Sequence, residues 1–540
     1  MCVLQCTDSL GFICQACGVQ HQHLQPAFHQ THPLQGGRMD NKSEIINRLR
    51  RSFQSGITIS EEFRREQLSN LRSMIQENEE KILEALNKDL CKPKFEAILA
   101  EVDLVINELS YAIDNLQSWM QPEYVSKTLA TSFDDCFVRR EPLGVVLIIG
   151  TWNYPLLLLI TPMVGAIAAA GQRERHWSIH KWPSTSLDLN PIEHLWKALT
   201  YNNMRNCVVI KPSEVSAAVD LLIAELIPKY LSQDCYAVVS GGEDDSKALL
   251  QNRFDHILYT GSQDVARSIL QAASVHLTPV TLELGGKCPC LIYGTVAIEI
   301  AARRLVWAKF FNAGQSCVAP DYVLCSKETR DALFPALCAT LKEFYGKDPQ
   351  ASPDLCRIVS QRHWVRLTEL LKKTNGTIIV GGESDPKEKY IAPTVVDVAE
   401  DDILMKKEIF GPILPIVTVE SLEKAIDFVN NKEKPLALYV FSNESSVVDT
   451  VMKKTSSGGF CSNDGMIHMT LPGLPFGGVG SSGWGSYHGR WGFETFSHRR
   501  GCMLRGWGLE KLNGLRYPPY GDTRLSWLRW SATTKMCLLM

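Results

Sequence analysis

The segment Leu143-Gly144-Val145-Val146-Leu147-Ile148-Ile149-Gly150-Thr151-Trp152-Asn153-Tyr154-Pro155-Leu156, continued to Ala170, decides the fold. Residues 143–170 hold no Asp, Glu, Lys or Arg over 28 positions, which is long enough for a membrane-spanning helix. The interior argues otherwise. Gly150 to Pro155 is a polar, proline-containing break. It predicts a short buried strand over Val145–Ile149, a loop, and an apolar core helix over 156–170. The pattern repeats downstream. Strands are predicted over 207–210, 237–239, 256–259 and 280–282, with helices over 215–231, 247–253 and 265–273. That alternation signals a parallel sheet of Rossmann type. A second α/β block is expected from about Leu284 to Gly459. Upstream, Thr58-x-x-Glu61 is a capping box that opens a helical pattern running to Leu86. A second amphipathic helix is predicted over 95–119.

Composition narrows the function classes. A chain of 540 residues exceeds one compact core. With 45% hydrophobic and 21% charged residues, it is neither disordered nor collagen-like. Lys+Arg of 56 against Asp+Glu of 59 leaves no basic field for nucleic acid. Seventeen cysteines spread over this length are not a disulfide scaffold. The first ten residues lack a secretory pattern, so the cysteines are expected as thiols.

Two segments break the pattern. Residues 1–38 carry Cys2, Cys6, Cys14 and Cys17, then His21, His23, His29 and His32. Without a second well-spaced ligand pair, this reads as an unstructured leader rather than a zinc site. Met39 is an alternative initiator. Residues 172–205 are polar and interrupt what is otherwise a helix, Gly171 as C-cap, and the strand after Asn206. The segment reads as an insertion. Its run from Trp182 to Trp196 resembles the stretch around the last catalytic carboxylate of Tc1/mariner-type transposases. Only Glu193 of such a carboxylate set is present, so no activity is assigned to it. Insertions at such turns cost little closure entropy.

The chemistry concentrates in short motifs. In Gly314-Gln315-Ser316-Cys317 a thiol among small and polar residues is a candidate nucleophile. Glu283-Leu284-Gly285-Gly286-Lys287 follows a buried strand and places a carboxylate for general-base work. Asn153 lies in the polar break, where its amide is able to donate to an oxyanion. Glu408-Ile409-Phe410-Gly411-Pro412 adds a carboxylate before a turn. The chain ends Cys537-Leu538-Leu539-Met540, a prenylation box preceded by Arg524, Trp527, Trp530 and Lys535.

Together with Pro142-Leu143-Gly144-Val145, Lys211-Pro212-Ser213-Glu214 and Pro475-Phe476-Gly477-Gly478-Val479-Gly480, these motifs resemble the aldehyde dehydrogenase superfamily. The likeness is to its class 3 branch of fatty and aromatic aldehyde dehydrogenases and, from the tail, to the membrane-attached B-type subgroup. It covers about residues 45 to 520 apart from the insertion. The resemblance implies an α/β fold: a Rossmann-type NAD-binding domain over 39–282, a catalytic α/β domain over 283–475, and a return to the first domain over 476–520. A β oligomerisation arm includes 121–140, and a membrane-anchoring tail spans 521–540.

It also implies roles. Cys317 attacks the aldehyde; Asn153 and the Cys317 N–H hold the oxyanion; hydride passes to the nicotinamide; Glu283 activates water to hydrolyse the thioester. Glu408 binds the nicotinamide ribose, and Trp152 and Phe410 also belong to the cofactor site. Lys211 and Glu214 take the adenosine ribose. The turn Gly261-Ser262, with Ala266 where the family usually has glycine, takes the phosphates. A Glu at the ribose favours NAD, while Lys211 leaves NADP open. No metal is expected. The expected partners are a medium- or long-chain aldehyde, a second copy of the chain, and the cytoplasmic face of a membrane through Cys537. The competing reading is a silent protein on the same fold, disabled by the insertion.

Overall fold

The computed structural model describes residues 41–55, 61–169 and 206–534. Thr58, the leader, the insertion, Gly171 and Cys537 lie outside them.

The segment that decided the fold does what its pattern predicts. Val145–Ile149 is a fully buried strand, and a helix follows over Leu157–Ala168 with every residue buried. Among the described residues, no helix is long and apolar enough to cross a membrane. The strand is central in a six-stranded sheet. Its order is Gly483–Trp484, Val280–Leu284, His256–Gly261, Val145–Ile149, Cys207–Lys211, Tyr236–Val238. The last five run parallel, while Gly483–Trp484 pairs antiparallel to Leu282 and Glu283. Parallel strands with helical crossovers bury both faces, which is why each reads as a continuous apolar run.

The second block is a seven-stranded sheet spanning Pro289 to Ser462 in sequence. Its order is Thr377–Val380, Thr394–Val398, Ile413–Thr418, Tyr322–Cys325, Pro289–Ile292, Ala437–Phe441, Gly459–Ser462. A third, antiparallel sheet joins Glu123–Tyr124, Asp135–Pro142 and Ser497–Leu504.

Two predicted helices are broken. The first pattern splits at Asn78 into Glu61–Glu77 and Glu79–Leu90. The second is interrupted by a π-helical turn over Ile98–Val102, between Lys94–Ala97 and Asp103–Trp119. A π-turn inserts one residue and rotates side chains by a step that a 3.6-residue pattern does not contain. Here it accompanies the burial of Glu101.

The junction around the predicted insertion is held by one side chain. Asn206 is fully buried. Its Oδ1 accepts from Leu143 N (2.8 Å) and Gly144 N (3.0 Å). Its Nδ2 donates to Ala166 O (3.2 Å) and Phe496 O (2.9 Å). Four segments are thereby tied at the amino end of the parallel strands. Asn206→Ala leaves buried backbone groups unpaired and is expected to cost about 3 kcal/mol of stability. It should be read as a lowered denaturation midpoint; an unchanged midpoint would show that this staple holds nothing.

Candidate active site

The active-site residues gather at the carboxyl ends of the parallel strands, where open α/β sheets bind ligands. A cavity of about 260 Å³ is lined by Thr151, Trp152 and Asn153 after the Val145–Ile149 strand, and by Thr260, Gly261 and Ser262 at the end of the His256–Gly261 strand. Glu283, Gly285, Cys317, His363, Arg366, Glu408 and Phe410 complete the wall. Eight residues singled out from sequence therefore meet in one place: Trp152, Asn153, Gly261, Ser262, Glu283, Cys317, Glu408 and Phe410. Lys211, Glu214 and Ala266 stand outside this lining. Lys211 ends the Cys207–Lys211 strand, and its ammonium lies 3.5 Å from the carboxylate of Glu214 just after it. Ala266 is buried on the Gln263–Ser274 helix.

Cys317 reaches the site by a tight passage. The helix Ile298–Phe310 ends in two residues with left-handed backbone, Asn312 (φ 53°) and Ala313 (φ 52°). Gly314 follows at φ 71°, where a Cβ would overlap the Gly411 carbonyl. The Gly314–Cys317 segment thus runs against the Glu408–Pro412 turn. Cys317 is half-buried, and burial pushes its thiol up to about 12, with Glu408 and Glu283 adding negative charge nearby. The N–H groups of Cys317 and Val318 act in the opposite direction by bonding to the sulfur.

Glu283 is 2% exposed, and neither carboxyl oxygen has a hydrogen-bond partner among the described residues. Burial drives its pKa well above the usual carboxylate range. An unpartnered buried carboxyl group that faces a cavity is held for a ligand or water. Asn153 is buried too. Its Nδ2 donates to Gln315 O at 3.1 Å, two residues from the nucleophile. One N–H of that amide remains for a ligand.

Glu408 rises to about 8, first through burial and then through the charge of Asp321. Gly286 N–H, Lys287 and Arg366 act against the rise. Its carboxylate lies against Gly285, where a Cβ would overlap it. Asp321 joins two motifs, pairing with Lys287 at 2.6 Å and accepting from Ile409 N at 3.1 Å. Arg366 donates to Ile409 O at 2.6 Å. Trp152 stands edge-on to both His363 (4.9 Å) and Phe410 (5.4 Å). Thr151, Thr260, His363 and Arg366 escaped the sequence reading. His363 and Arg366 are one turn apart on the polar helix Gln361–Lys373, a spacing that looks like any solvent face.

The residues fit a dinucleotide. Gly261 and Ser262 lead into the helix Gln263–Ser274, whose N-terminus Ser262 caps through Val265 N. Such an N-terminus favours phosphate. Thr260 Oγ1 and both Glu283 oxygens are unpartnered within the cavity wall. Glycine at 285 leaves Glu408 room at the wall.

A cavity-facing thiol, a buried amide with a free N–H and an unpartnered buried carboxyl group, beside a helix N-terminus that suits phosphate, are groups that covalent catalysis by a dinucleotide-dependent oxidoreductase can use. The aldehyde dehydrogenase family model matches residues 34–172 and 192–501, and the chain belongs to that family. It is 49% identical over 500 residues to human aldehyde dehydrogenase family 3 member B1, covering 92% of this chain and 99% of that one. Family 3 member B3 of Mus musculus is 47% identical over 510 residues (94% and 99% covered). Family 3 member A2 of Rattus norvegicus is 44% identical over 486 residues (90% and 93%). The solved substrate-bound AldH of Staphylococcus aureus superposes with a TM-score of 0.82 at 37% identity, covering 91% of this chain and 99% of that one. The chain is thus an aldehyde-oxidising oxidoreductase that uses NAD or NADP. The family match breaks between 172 and 192, within the segment read as an insertion.

Proposed function

We propose that Cys317, Asn153 and Glu283 carry the oxidation, and that medium- and long-chain aliphatic aldehydes, with aromatic ones, are the substrates. The convergence of these three side chains on one cavity with Glu408 carries the reading. With its thiol proton given up to solvent water, Cys317 Sγ adds to the aldehyde carbon, giving a thiohemiacetal whose oxyanion is held by the free N–H of Asn153 and the N–H of Cys317. The nicotinamide, when bound, supplies the hydride acceptor. Cys317 is left acylated as a thioester. Glu283 takes a proton from the attacking water, and the acid is released.

For the cofactor we propose that Glu408 and Phe410 hold the nicotinamide ribose end beside Trp152. Gly261, Ser262 and Ala266 shape the phosphate turn, and Lys211 with Glu214 serve the adenosine ribose. NAD is preferred over NADP, because the Lys211 ammonium is already committed to Pro212 O (2.9 Å), Gly241 O (2.7 Å) and Glu214. We divide the chain into an NAD-binding domain over 39–282 and 476–520 and a catalytic domain over 283–475. The return of Gly483–Trp484 to the first sheet supports that division. Exposed Tyr124, Val125, Leu129 and Phe133 near the antiparallel arm support a homodimer.

The tail 521–540 is proposed as a membrane anchor. The helix Asp522–Thr533 exposes Leu525, Trp527 and Trp530, with Arg524 and Arg529 among them, a mix suited to a lipid headgroup layer. Cys537 is the expected prenyl acceptor, which places the enzyme on the cytoplasmic face of a membrane, where aldehydes released from lipids concentrate. Wild type should incorporate an isoprenoid label and sediment with membranes, and Cys537→Ser should do neither. Equal labelling of both would refute the anchor. The enzymatic reading is tested by NADH formation from a long-chain aldehyde. A folded protein without turnover would refute it.

A further inference from the structure

Lys92 and Glu101 form an ion pair with both side chains fully buried, Nζ to Oε1 at 2.6 Å. Removing two charges from water costs several kcal/mol per ion, so such a pair is weak evidence of a stabilising role. Its other contacts show what it holds. Lys92 Nζ donates to the Asn153 carbonyl at 3.2 Å and lies 4.4 Å over the Tyr154 ring. The second oxygen of Glu101 accepts from Leu156 N and Leu157 N, each at 3.0 Å. Those amides open the helix Leu157–Ala168, which has no side-chain cap from its own N-cap residue. The pair therefore grips the Asn153–Leu157 turn at both ends.

From the opposite side, Asn312 Nδ2 donates to the same Asn153 carbonyl (2.9 Å) and to Gln315 O (3.1 Å). The Asn153 side chain donates to that Gln315 oxygen as well. Asn312 is itself anchored through its backbone N to the Glu96 carboxylate at 2.8 Å. Asn153 and the cysteine segment thus share one buried network, with Lys92 as the cation on its Asn153 side.

We propose that Lys92 is a positioning residue for oxidation. With Glu101 it fixes the Asn153 backbone, and so aims the free amide N–H at the oxyanion formed beside Cys317. The proposal rests on the reading of Asn153 as an oxyanion donor. Lys92 is not itself among the residues lining the cavity and meets that wall through the Asn153 carbonyl, so cofactor affinity should not depend on its charge.

The test uses four variants of the full-length protein: Lys92→Met; Lys92→Met with Glu101→Gln, which removes the stranded charge and keeps an acceptor for Leu156 and Leu157; Asn153→Ala; and Lys92→Met with Asn153→Ala. The double variant should melt near wild type and bind NAD with unchanged affinity by fluorescence titration. Its kcat should fall about 10- to 100-fold with KM within about threefold, and adding Lys92→Met to Asn153→Ala should change kcat little further. Restoration of kcat in the double variant, or independent multiplying losses with Asn153→Ala, would overturn the positioning role. If Asn153→Ala is active while Lys92→Met is not, the oxyanion reading fails and takes this proposal with it. If Asn153→Ala is severely impaired and Lys92→Met is not, this proposal alone fails.

Discussion

Cys317→Ser should lower aldehyde oxidation by about three to four orders of magnitude while NAD binding and the melting temperature stay near wild type. The hydroxyl is close in size to the thiol but far less nucleophilic, and the pocket offers Ser no base arranged for it: Glu283 has no partner among the described residues. The measurement is steady-state NADH formation with a long-chain aldehyde, beside cofactor titration. Turnover within tenfold of wild type would eliminate Cys317 as nucleophile. The same side chain gives a pH signature. Burial and the Glu408 and Glu283 carboxyls raise its pKa to about 12. Alkylation of Cys317 in the cofactor-free protein, followed by peptide mapping, should therefore climb roughly tenfold per pH unit from neutrality upward. Exposed Cys91 serves as the internal reference.

The second large effect belongs to Glu283→Gln. The amide keeps the shape but has no basic oxygen for water, so acylation proceeds and hydrolysis stalls. About one NADH per active site should form in a burst, followed by a steady rate about 10²- to 10⁴-fold below wild type. Stopped-flow fluorescence separates the two phases. A wild-type steady rate would show that Glu283 does not activate water. Loss of the burst itself would move Glu283 to the acylation step. Burial alone accounts for the raised pKa of Glu283. A base of this kind holds its proton strongly once it has taken it.

Much of the fold was legible because buried parallel strands are unbroken apolar runs. Val145–Ile149 matched residue for residue, while Cys207–Lys211 ran one residue past its predicted end and Val280–Leu284 two, which takes in the cavity-lining Glu283. Polar residues at strand ends look like turns in a sequence and like ligands in a structure. The region over 95–119 was read as one helix because periodicity does not register an ion pair. Glu101 is charged, so the pattern assigns it to solvent, yet it is fully buried against Lys92 and two helix amides. His363 and Arg366 were invisible for a related reason: their helix is polar, and only the packing of the Glu408–Pro412 turn brings it to the cavity. The placing of Cys317 at the cavity, by contrast, was legible from small residues around one thiol, since a backbone passing within contact of Gly411 tolerates nothing larger at 314.

The Asn206 amide has a consequence for how the chain tolerates additions. It bonds directly to the Ala166 carbonyl, forty positions earlier. Any sequence threaded between the two leaves and rejoins the domain at neighbouring points, on the far end of the strands from Cys317. The junction is a fixed port. A reporter or affinity handle grafted there would be displayed at a defined address while the reaction continues at the other end of the sheet.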